Sequence, residues 1–391
     1  MSEAPERRVV LVGPLPPPSG GMANQTRQLA GLLAGDGVLV EVVRQNRPYT
    51  PRWIGRIPWV RSVARLVPYA VQLWRRAGPG KILHVMANSG WSWHLFAAPA
   101  IVLGRARGAA VVVNYRGGLA EEFFRRSYAR VAPVLRMADA VVVPSRFLEE
   151  VFRRRGAAVR VVPNIIDIGR FAPGDGDGDG DGAAPPGAPH LLVARNLEPI
   201  YDNATALRAL NIVRERIPQA RMTIAGTGPE ETRLRALADE LGLRDAVDFA
   251  GHVDNARMPC LYRSASVAIN PSRADNMPIS VLESLAAGVP VVSTDVGGVP
   301  FLVEDGRNAL LVPPGDPQRM AQAVLRVLTE EGLGARLVRA GREAVREYAW
   351  ESVRGRWFAV YDEAAEAAVR RRAGAGASGR SRGRERAGGG R

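Results

Sequence analysis

Short apolar runs alternate with longer amphipathic stretches along almost the whole chain. In the first half, runs rich in Val, Leu and Ile predict six strands, at 8–12, 38–43, 82–86, 109–113, 140–143 and 159–162. In the second half they predict six more, at 190–194, 221–225, 247–250, 266–270, 291–293 and 309–312. Apolar strands separated by helical stretches are typical of βαβ units with a buried parallel sheet. The pattern therefore predicts an α/β fold with two Rossmann-like domains of similar size.

A change of composition separates the two sets of strands. Pro173 opens a stretch of Gly-Asp repeats that ends at Gly182, and alanines and prolines follow it. Such a stretch cannot build a core, so it predicts a flexible acidic linker. The predicted organisation is an N-terminal domain over 1–170, the linker over 171–189, a C-terminal domain over 190–349, a closing helix over 350–372 and a disordered Arg/Gly tail over 373–391.

The composition is ordinary for a soluble enzyme, with 46% hydrophobic and 24% charged residues. The single cysteine, Cys260, excludes an intramolecular disulfide and gives no basis for a cysteine-based metal site. The first residues lack the apolar core of a signal peptide, and no window of about 18 residues is continuously apolar. We therefore expect a cytoplasmic protein without a membrane-spanning helix.

Positive charge is concentrated in two segments. The net charge is +14, and residues 370–391 account for half of it with eight Arg and one Glu. We expect this tail to be solvated and to have no specific nucleic-acid partner. The second basic segment, residues 52–76, contains six Arg, three Trp and no acidic residue.

The segment 52–76 has the amphipathicity of a helix. At about 100° per residue, one stripe is apolar and bears two tryptophans, namely Trp59, Val63, Leu66, Ala70, Leu73 and Trp74. The opposite stripe is polar and mostly basic, namely Arg61, Arg65, Gln72, Arg75 and Arg76. This pattern predicts peripheral attachment to an anionic membrane surface. The alternative is a domain helix that packs its apolar stripe on its own sheet.

The stretch 271–298 carries the most information about function. An apolar strand leads into a polar loop with Asp275, and a helix begins near Pro278 and ends at Gly288. Glu283 lies in the second turn of that helix. Two carboxylates and free backbone N–H groups therefore meet at the carboxyl edge of a parallel sheet, where open α/β folds bind ligands. Helix N-termini attract phosphate and carboxylates bind sugar hydroxyls, so this edge predicts a nucleotide-sugar site.

These acids, the helix and the Gly-Val-Pro-Val-Val strand after it resemble the donor-binding signature of retaining glycosyltransferases of the GT-B fold, particularly family four. The resemblance implies two Rossmann-like domains facing a central cleft, with a C-terminal helix that crosses back to the first domain. It implies that Glu283 holds the ribose hydroxyls of the donor. Asp275, one methylene shorter than the usual Glu, would contact the donor sugar together with the loop residues Asn276, Met277 and Pro278.

The same resemblance implies further donor contacts. Arg195 ends the first strand of the second half and matches an arginine that binds the donor diphosphate, but the lysine that normally follows it is missing. His252 and Val253 match the segment that faces the nucleobase, although a surface turn explains His252 equally well. Gly20 and Gly21 precede a helix and match a loop that closes over the diphosphate.

Acceptor-side candidates belong to the third and fourth strands and the turns after them. His84 lies within the third strand, Asn88 and His94 follow it, and Arg116 follows the fourth. Arg116 stands near the position of a family histidine, and we interpret it as a ligand of the diphosphate or of an acceptor phosphate. His84 is equally consistent with a core residue. The predicted catalytic residues are Asp275, Arg116 and Arg195.

The resemblance implies a metal-independent glycosyltransferase that retains the anomeric configuration and uses no cofactor besides its nucleotide-sugar substrate. The expected acceptor is a hydroxyl of a glycan or of a lipid-linked molecule, as in the synthesis of cell-envelope polysaccharides or glycolipids. A GT-B epimerase of nucleotide sugars and a non-catalytic nucleotide-sugar-binding protein are the alternatives. A phosphorylase is disfavoured, because the single lysine, Lys81, precedes a buried strand in the first half.

Overall fold

The chain divides into two units. The computed structural model describes residues 7–17, 20–46, 58–172 and 187–387. The first unit contains the chain up to Pro163 and again from Arg354 onward, and the second contains Asn164–Val353. All the Gly-Asp repeats of the predicted linker lie outside the described residues.

The described residues of the first unit form one parallel six-stranded sheet with the order β2-β1-β3-β4-β5-β6. Its strands are β1 (Arg8–Gly13), β2 (Leu39–Arg44), β3 (Ile82–Ala87), β4 (Ala110–Tyr115), β5 (Ala140–Val143) and β6 (Arg160–Val161). The strand order reverses between β1 and β3. The loops after these two strands therefore lie beside a topological switch point, where open α/β sheets bind ligands.

The second unit repeats this plan within its described residues, with the order β12-β11-β10-β7-β8-β9 and parallel pairing throughout. Its strands are β7 (His190–Val193), β8 (Arg221–Ala225), β9 (Val247–Gly251), β10 (Val267–Asn270), β11 (Val291–Thr294) and β12 (Leu310–Val312). Here the switch point lies between β7 and β10. The loops after β7 and β10 are those of Arg195 and Asp275, respectively.

Helices connect the strands. Those of the first unit are α1 (Gly21–Gly35), α2 (Pro58–Arg76), a π-helical turn (Trp93–Ala97), α3 (Ala98–Ala106), α4 (Ala120–Leu135) and α5 (Arg146–Arg153). Those of the second are α6 (Ile168–Phe171), α7 (Asn203–Arg216), α8 (Glu231–Glu240), α9 (Met258–Arg263), α10 (Ile279–Ala287), α11 (Pro317–Thr329) and α12 (Leu333–Ala344). Three 3-10 turns occur in the described second unit, at Pro199–Tyr201, Val299–Phe301 and Val345–Tyr348, and α13 (Trp350–Ala387) ends the described chain.

The predicted α/β fold class is confirmed, and each predicted strand overlaps an observed one. Both faces of the second sheet are covered along its central strands, which explains why these strands are mostly apolar. The edge strand β9 is more exposed and contains Asp248. Along β7, Leu191 and Val193 belong to one apolar core, whereas Leu192 between them belongs to the other. This alternation follows from the two-residue period of a strand.

The C-terminal helix is longer than the sequence predicted. We expected its end at residue 372 and a disordered tail from 373, but α13 continues to Ala387. From Arg354 onward the helix belongs to the first unit, where Trp357 and Tyr361 are buried. Arg and Ala have high helix propensity, and extending a helix that packing has already nucleated costs little. The glycines of the tail do not end the helix, although each costs about 1 kcal/mol relative to alanine.

The exposed apolar residues of helix α2 differ from the apolar stripe that the sequence predicted. Residues 52–57 and the side chains of 58–63 lie outside the described residues. Leu73, expected on a membrane-facing stripe, is fully buried, and so is Tyr69, whose hydroxyl donates to the Phe96 carbonyl at 2.8 Å. This face of α2 therefore packs inside the first unit. The exposed large apolar side chains in the described part of α2 are Val67, Val71 and Trp74.

Candidate functional site

Two residues that were predicted to contact the donor separately are bound to each other. Arg195 Nη2 forms an ion pair with Asp275 Oδ2, and Arg195 Nη1 lies 3.4 Å from Ser280 Oγ. The guanidinium packs over the ring of Tyr201, 4.0 Å from its centroid. Both partners of the ion pair follow strands that flank the switch point of the second sheet. The structure thus brings Arg195 and Asp275 together at the edge where a ligand is expected.

A pair of glycines fixes the loop that carries Asp275. Gly298 N donates to the Asp275 carbonyl at 2.8 Å, and Asp275 Oδ1 accepts from Met277 N at 3.3 Å. A Cβ on Gly297, which has a φ of +54°, would lie 2.1 Å from Asp275 O. A Cβ on Gly298 would lie 1.6 Å from Asn276 O. Only glycine permits this approach, so the turn after β11 acts as a support for the loop.

The other predicted loop residues are mostly covered. The side chains of Asn276 and Met277 are buried, and Asn164 Nδ2 donates to the Met277 carbonyl at 3.0 Å. Pro278 has an extended backbone and is the N-cap of α10. The side chains of Asn276 and Met277 therefore stabilise the loop. A ligand at this edge would meet its backbone.

Glu283 lies in the second turn of α10, where the Tyr262 hydroxyl donates to its Oε2 at 2.8 Å. Burial raises the pKa of Glu283 to about 7, although the hydrogen bond from Tyr262 and the charges of Arg170 and Arg195 act to lower it. Burial, followed by the Glu283 carboxylate, raises the pKa of Tyr262 well above its ordinary value. Glu283 therefore changes its charge near neutral pH, while Tyr262 remains a hydrogen-bond donor.

Arg170 and Tyr262 are site residues that the sequence reasoning missed. The Arg170 guanidinium lies 5.1 Å from the ring centroid of Phe171, and Phe171 meets Tyr262 edge-on with centroids 5.8 Å apart. Arg170 Nη2 is buried without a hydrogen-bond partner among the described residues. These contacts join α6, α9 and α10, three separate segments. Spacing along the sequence therefore gave no sign of them.

The turn between β8 and α8 supports Arg195 from behind. A Cβ on Gly226 would lie 2.0 Å from the Arg195 carbonyl, and one on Gly228 would lie 2.4 Å from the Leu197 carbonyl. Leu197 N also donates to the Thr227 carbonyl at 3.1 Å. Gly226 and Gly228 are therefore needed for close packing of two backbone segments.

The predicted nucleobase segment follows β9, an edge strand of the second sheet. His252 is exposed, and Val253 is partly buried against the apolar cluster that contains Tyr262 and Val281. Gly251 before them has a φ of +61°, which allows the chain to turn there. The structure thus brings Val253 toward the core beneath α10 and leaves His252 on the surface.

At the switch point of the first sheet, Gly20 is the N-cap of α1 and Gly21 is its first residue. Among the described residues, no heavy atom of another segment comes within 4 Å of a Cβ placed on Gly20. The preceding loop is held by two residues that the sequence reasoning missed. Arg44 Nη2 donates to the Pro17 carbonyl and Asn46 Nδ2 to the Leu15 carbonyl, each at 2.7 Å. Residues 18–19 lie outside the described part of the chain.

The turns after β3 and β4 lie against each other. Ser89 Oγ is 2.8 Å from Tyr115 Oη, and a Cβ on Gly117 would lie 2.1 Å from Ser89 Oγ. Asn88 Oδ1 accepts from Ser89 N at 2.8 Å. Burial lowers the pKa of Arg116 to about 10, which leaves it a cation at neutral pH. The structure therefore brings Asn88 and Arg116 to the same edge of the first sheet.

His84 does not belong to this edge, and its interpretation as an acceptor-side residue is corrected. Its side chain is fully buried, with the ring 4.8 Å from that of Trp357. Nε2 accepts from Asn114 Nδ2 at 3.1 Å, so Nδ1 carries the proton and donates to Tyr361 Oη at 2.8 Å. Burial and the nearby Arg116 lower the pKa of His84 to about 3. Both ring nitrogens are satisfied in the core, and no surface is left for an acceptor.

His94 lies in the π-helical turn after β3 and is partly exposed. Its ring contacts those of Trp91 and Phe123, with centroids 6.3 and 5.9 Å apart. Trp91 is 78% exposed, which is unusual for so large an apolar side chain. π-helical turns occur frequently at functional sites. His94 therefore stays among the acceptor-side candidates.

Across the described ranges, no group of three or more His, Cys, Asp or Glu side chains is placed to hold a metal ion. No helix in that same part of the chain combines the length and apolarity of a membrane span. Cys260 is exposed.

Two family models match the chain. The Glycosyltransferase Family 4 model matches residues 19–170, and the Glycosyl transferases group 1 model matches residues 188–330. The first match includes Arg116 and the turn at Gly20. The second includes the whole edge with Arg195, Asp275 and Glu283.

Similar sequences carry related names. A D-inositol 3-phosphate glycosyltransferase from Acidothermus cellulolyticus is 36% identical over 60% of this chain and 55% of its own length. The chain therefore spans only about half the length of that relative. A phosphatidyl-myo-inositol mannosyltransferase from Mycobacterium leprae is 28% identical over 88% of this chain and 94% of its own.

Solved structures show the same fold at low sequence identity. HepE from Anabaena, solved with UDP and glucose, has a TM-score of 0.71 at 19% identity, covering 90% of this chain and 99% of its own. A sucrose-phosphate synthase from Thermosynechococcus elongatus has a TM-score of 0.68 at 20% identity, covering 92% and 99%. With both family models matched in order along the chain, the protein belongs to the family 4, group 1 glycosyltransferases of the GT-B fold.

Proposed function

We propose that this protein transfers a sugar from a nucleotide-sugar donor to a hydroxyl group of an acceptor. The observation that carries this proposal is the meeting of Arg195, Asp275 and Glu283 at the switch point of the second sheet. A guanidinium suits a diphosphate, and carboxylates suit the hydroxyls of ribose and sugar. The segment that provides all three lies within the match to the group 1 model.

In this proposal Glu283 binds the ribose hydroxyls of the donor. Tyr262 donates to only one of its two carboxylate oxygens, so lone pairs remain for hydroxyl donors. Arg195 binds the diphosphate, and the turn with His252 and Val253 contacts the nucleobase. The backbone of the loop at Asp275 contacts the donor sugar.

The reaction is proposed to retain the anomeric configuration. The bond between the anomeric carbon and the diphosphate breaks, and the acceptor oxygen forms its bond on the same face of the sugar. The acceptor proton passes to an oxygen of the leaving diphosphate. The main requirement is stabilisation of charge on that leaving group. In the second unit Arg195 would supply it without a metal ion. The proposed ligands of phosphate in the first unit are Arg116 and the helix N-terminus at Gly20 and Gly21.

The acceptor is proposed to be a hydroxyl of a glycan or a lipid-linked molecule. Asn88, His94 and Arg116, at one edge of the first sheet, are its proposed contacts. The names of two relatives specify phosphorylated inositols. Arg116, a partly buried cation, suits a phosphate group of this kind of acceptor. A role in the synthesis of envelope glycolipids or polysaccharides would follow.

Peripheral membrane contact is proposed through the outer face of α2. Val67, Val71 and Trp74 are exposed there at helical spacing, and Arg75 beside them is exposed as well. The Arg107 guanidinium lies 4.8 Å from the centroid of the Trp74 ring. An apolar ridge with tryptophan and arginine suits the interface of an anionic bilayer. Such contact would bring the enzyme to a lipid-linked acceptor.

A panel of ligands tests the donor. UDP-, GDP-, ADP- and TDP-sugars are each added to the protein, and thermal unfolding is followed. A ligand at about 100 times its dissociation constant stabilises the fold by about 2.7 kcal/mol, which is roughly 5–10 °C for a unit of this size. We expect one nucleotide to stand out. The absence of a shift with every nucleotide would contradict the proposal.

The best donor is then incubated with candidate acceptors, and the products are examined by NMR. Transfer with unchanged anomeric configuration is expected. Free epimerised sugar nucleotide formed without an acceptor would instead identify an epimerase. Binding without any turnover of the donor would identify a nucleotide-sugar-binding protein.

A further inference from the structure

The Arg195 guanidinium is mostly buried and already charge-paired before any ligand arrives. Its side chain is 11% exposed and that of Asp275 is 14% exposed. Arg195 Nη2 donates to Asp275, and Nη1 lies near Ser280 Oγ. The Tyr201 ring covers one face of the guanidinium. Only Nε is buried without a hydrogen-bond partner among the described residues. Two of the five N–H groups of Arg195 are directed at Asp275 and Ser280, so an anion at this subsite meets a guanidinium whose charge is already paired.

Asp275 cannot easily leave Arg195, because its backbone is fixed. The carbonyl accepts from Gly298 N, and Oδ1 accepts from Met277 N. The contacts of Gly297 and Gly298 with this loop leave no space for even a methyl group. Asp275 therefore remains close to Arg195 when an anion binds. Its negative charge repels any phosphate that approaches the guanidinium.

This repulsion acts differently on the donor and on the product. The diphosphate of a nucleotide sugar is esterified at both ends. A free nucleoside diphosphate has a terminal phosphate with a pKa near 6, so at pH 8 it carries about one more negative charge. A subsite whose cation is already paired disfavours the ligand with the higher charge.

We propose that Asp275 is a specificity-determining residue, whose charge makes the Arg195 subsite favour a nucleotide sugar over the free nucleoside diphosphate. This inference rests on the proposed function. It assigns to Asp275 an effect on the leaving nucleotide in addition to any contact with the sugar. Product would leave the site more readily as a consequence.

The test is calorimetric binding at pH 8 of three ligand pairs, namely UDP with UDP-glucose, GDP with GDP-mannose and ADP with ADP-glucose. For the pair that binds, Asp275→Asn is expected to lower the dissociation constant of the nucleoside diphosphate about tenfold. The dissociation constant of the nucleotide sugar is expected to change much less. Asp275→Glu retains the charge and is expected to keep the wild-type ratio of the two affinities. Asp239→Asn removes an equal charge from an exposed ion pair with Arg244 and serves as the matched control.

A double variant separates this effect from a structural one. In an Arg195→Gln background the Asp275 charge is no longer offset by its partner, so Asp275→Asn is expected to change the ratio at least as much as in the wild type. A change in the ratio that disappears in this background would mean that Asp275 acts only by positioning Arg195, which would overturn the inference. An unchanged ratio in Asp275→Asn, or weaker binding of the nucleoside diphosphate, would overturn the inference and leave the proposed function intact. Failure of every pair to bind the wild type would overturn both.

Discussion

Glu283 provides the sharpest test of the donor site, because its pKa of about 7 makes its contribution depend on pH. If only the carboxylate binds the ribose hydroxyls, the fraction able to bind is about 90% at pH 8 and about 10% at pH 6. The dissociation constant of the donor is then expected to rise about tenfold between pH 8 and pH 6. This corresponds to about 1.4 kcal/mol of binding free energy.

The perturbation is Glu283→Gln, which keeps the size of the side chain and removes its titration. We expect donor binding at pH 8 to weaken at least tenfold, by about 1.4 kcal/mol or more, and to become independent of pH between 6 and 8. At pH 6 the dissociation constants of the variant and the wild type for the donor should become similar. Glu331→Gln, an exposed substitution of the same kind in the second unit, is the matched control.

The assay is isothermal calorimetry with the nucleotide sugar that gives the largest thermal shift. A nucleotide sugar is preferred, because a free nucleoside diphosphate titrates near pH 6 and would add its own pH dependence. Parallel pH profiles for wild type and Glu283→Gln would refute the assignment of Glu283. A second variant, Arg170→Met, is expected to move the wild-type midpoint to higher pH, since it removes a charge that lowers this pKa.

The ionisation of Glu283 also affects folding. Its pKa is raised in the folded protein, so the free energy of unfolding is highest below its ordinary pKa and falls as pH rises from about 4.5 to about 7. Ionising this carboxyl costs the fold about 3 kcal/mol at full extent. In Glu283→Gln this decline should be absent in denaturant titrations at several pH values. An equal decline in the variant would mean that other groups cause it.

Three further predictions concern the metal, the membrane and the core. Excess EDTA should leave transfer essentially unchanged, and a loss of activity that Mg²⁺ or Mn²⁺ restores would refute metal independence. The protein should sediment with anionic liposomes at low salt, whereas the double variant Val67→Asp/Val71→Asp should stay in the supernatant. The control is Phe301→Asp, because Phe301 in the second unit is about as exposed as Val67. His84→Ala should lower the free energy of unfolding by about 3 kcal/mol and leave the acceptor KM unchanged. The pKa of His84 is lowered to about 3 in the folded protein, so the free energy of unfolding of the wild type should fall as pH falls below about 6.5. This contribution should be absent in His84→Ala.

The strands were predictable because a sheet covered on both faces requires continuous apolar runs. β4, for example, is buried along all six residues, and its sequence Ala-Val-Val-Val-Asn-Tyr is apolar up to Asn114. The carboxyl edges of such strands follow from the fold class alone. The sequence therefore predicted that Arg195 and Asp275 lie at the carboxyl edge of the same sheet. It did not predict the ion pair between them.

Contacts between distant segments account for what the sequence did not show. The His84 ring is satisfied by Tyr361, 277 residues later in the chain, so its burial depends on a helix that spacing alone cannot place. Tyr262 reaches Glu283 only because α9 packs beside α10. Helix α13 also extends past its predicted end at residue 372, to Ala387, although the composition of this stretch is typical of disorder.

The missing lysine has a structural counterpart that bears on how this site works. In the stretch after Arg195, Tyr201 places its ring on the guanidinium. Asp202 next to it binds Arg273 Nε and Thr205 Oγ1, at 2.9 and 2.8 Å. This stretch therefore contributes an aromatic face where the family usually supplies a second cation. Arg195 is held by the Tyr201 ring and by the Asp275 carboxylate, and its charge also acts on Glu283. In the proposed function this site would offer a diphosphate less positive charge than the family pattern implies. Its selectivity would then depend more strongly on the identity of residue 275.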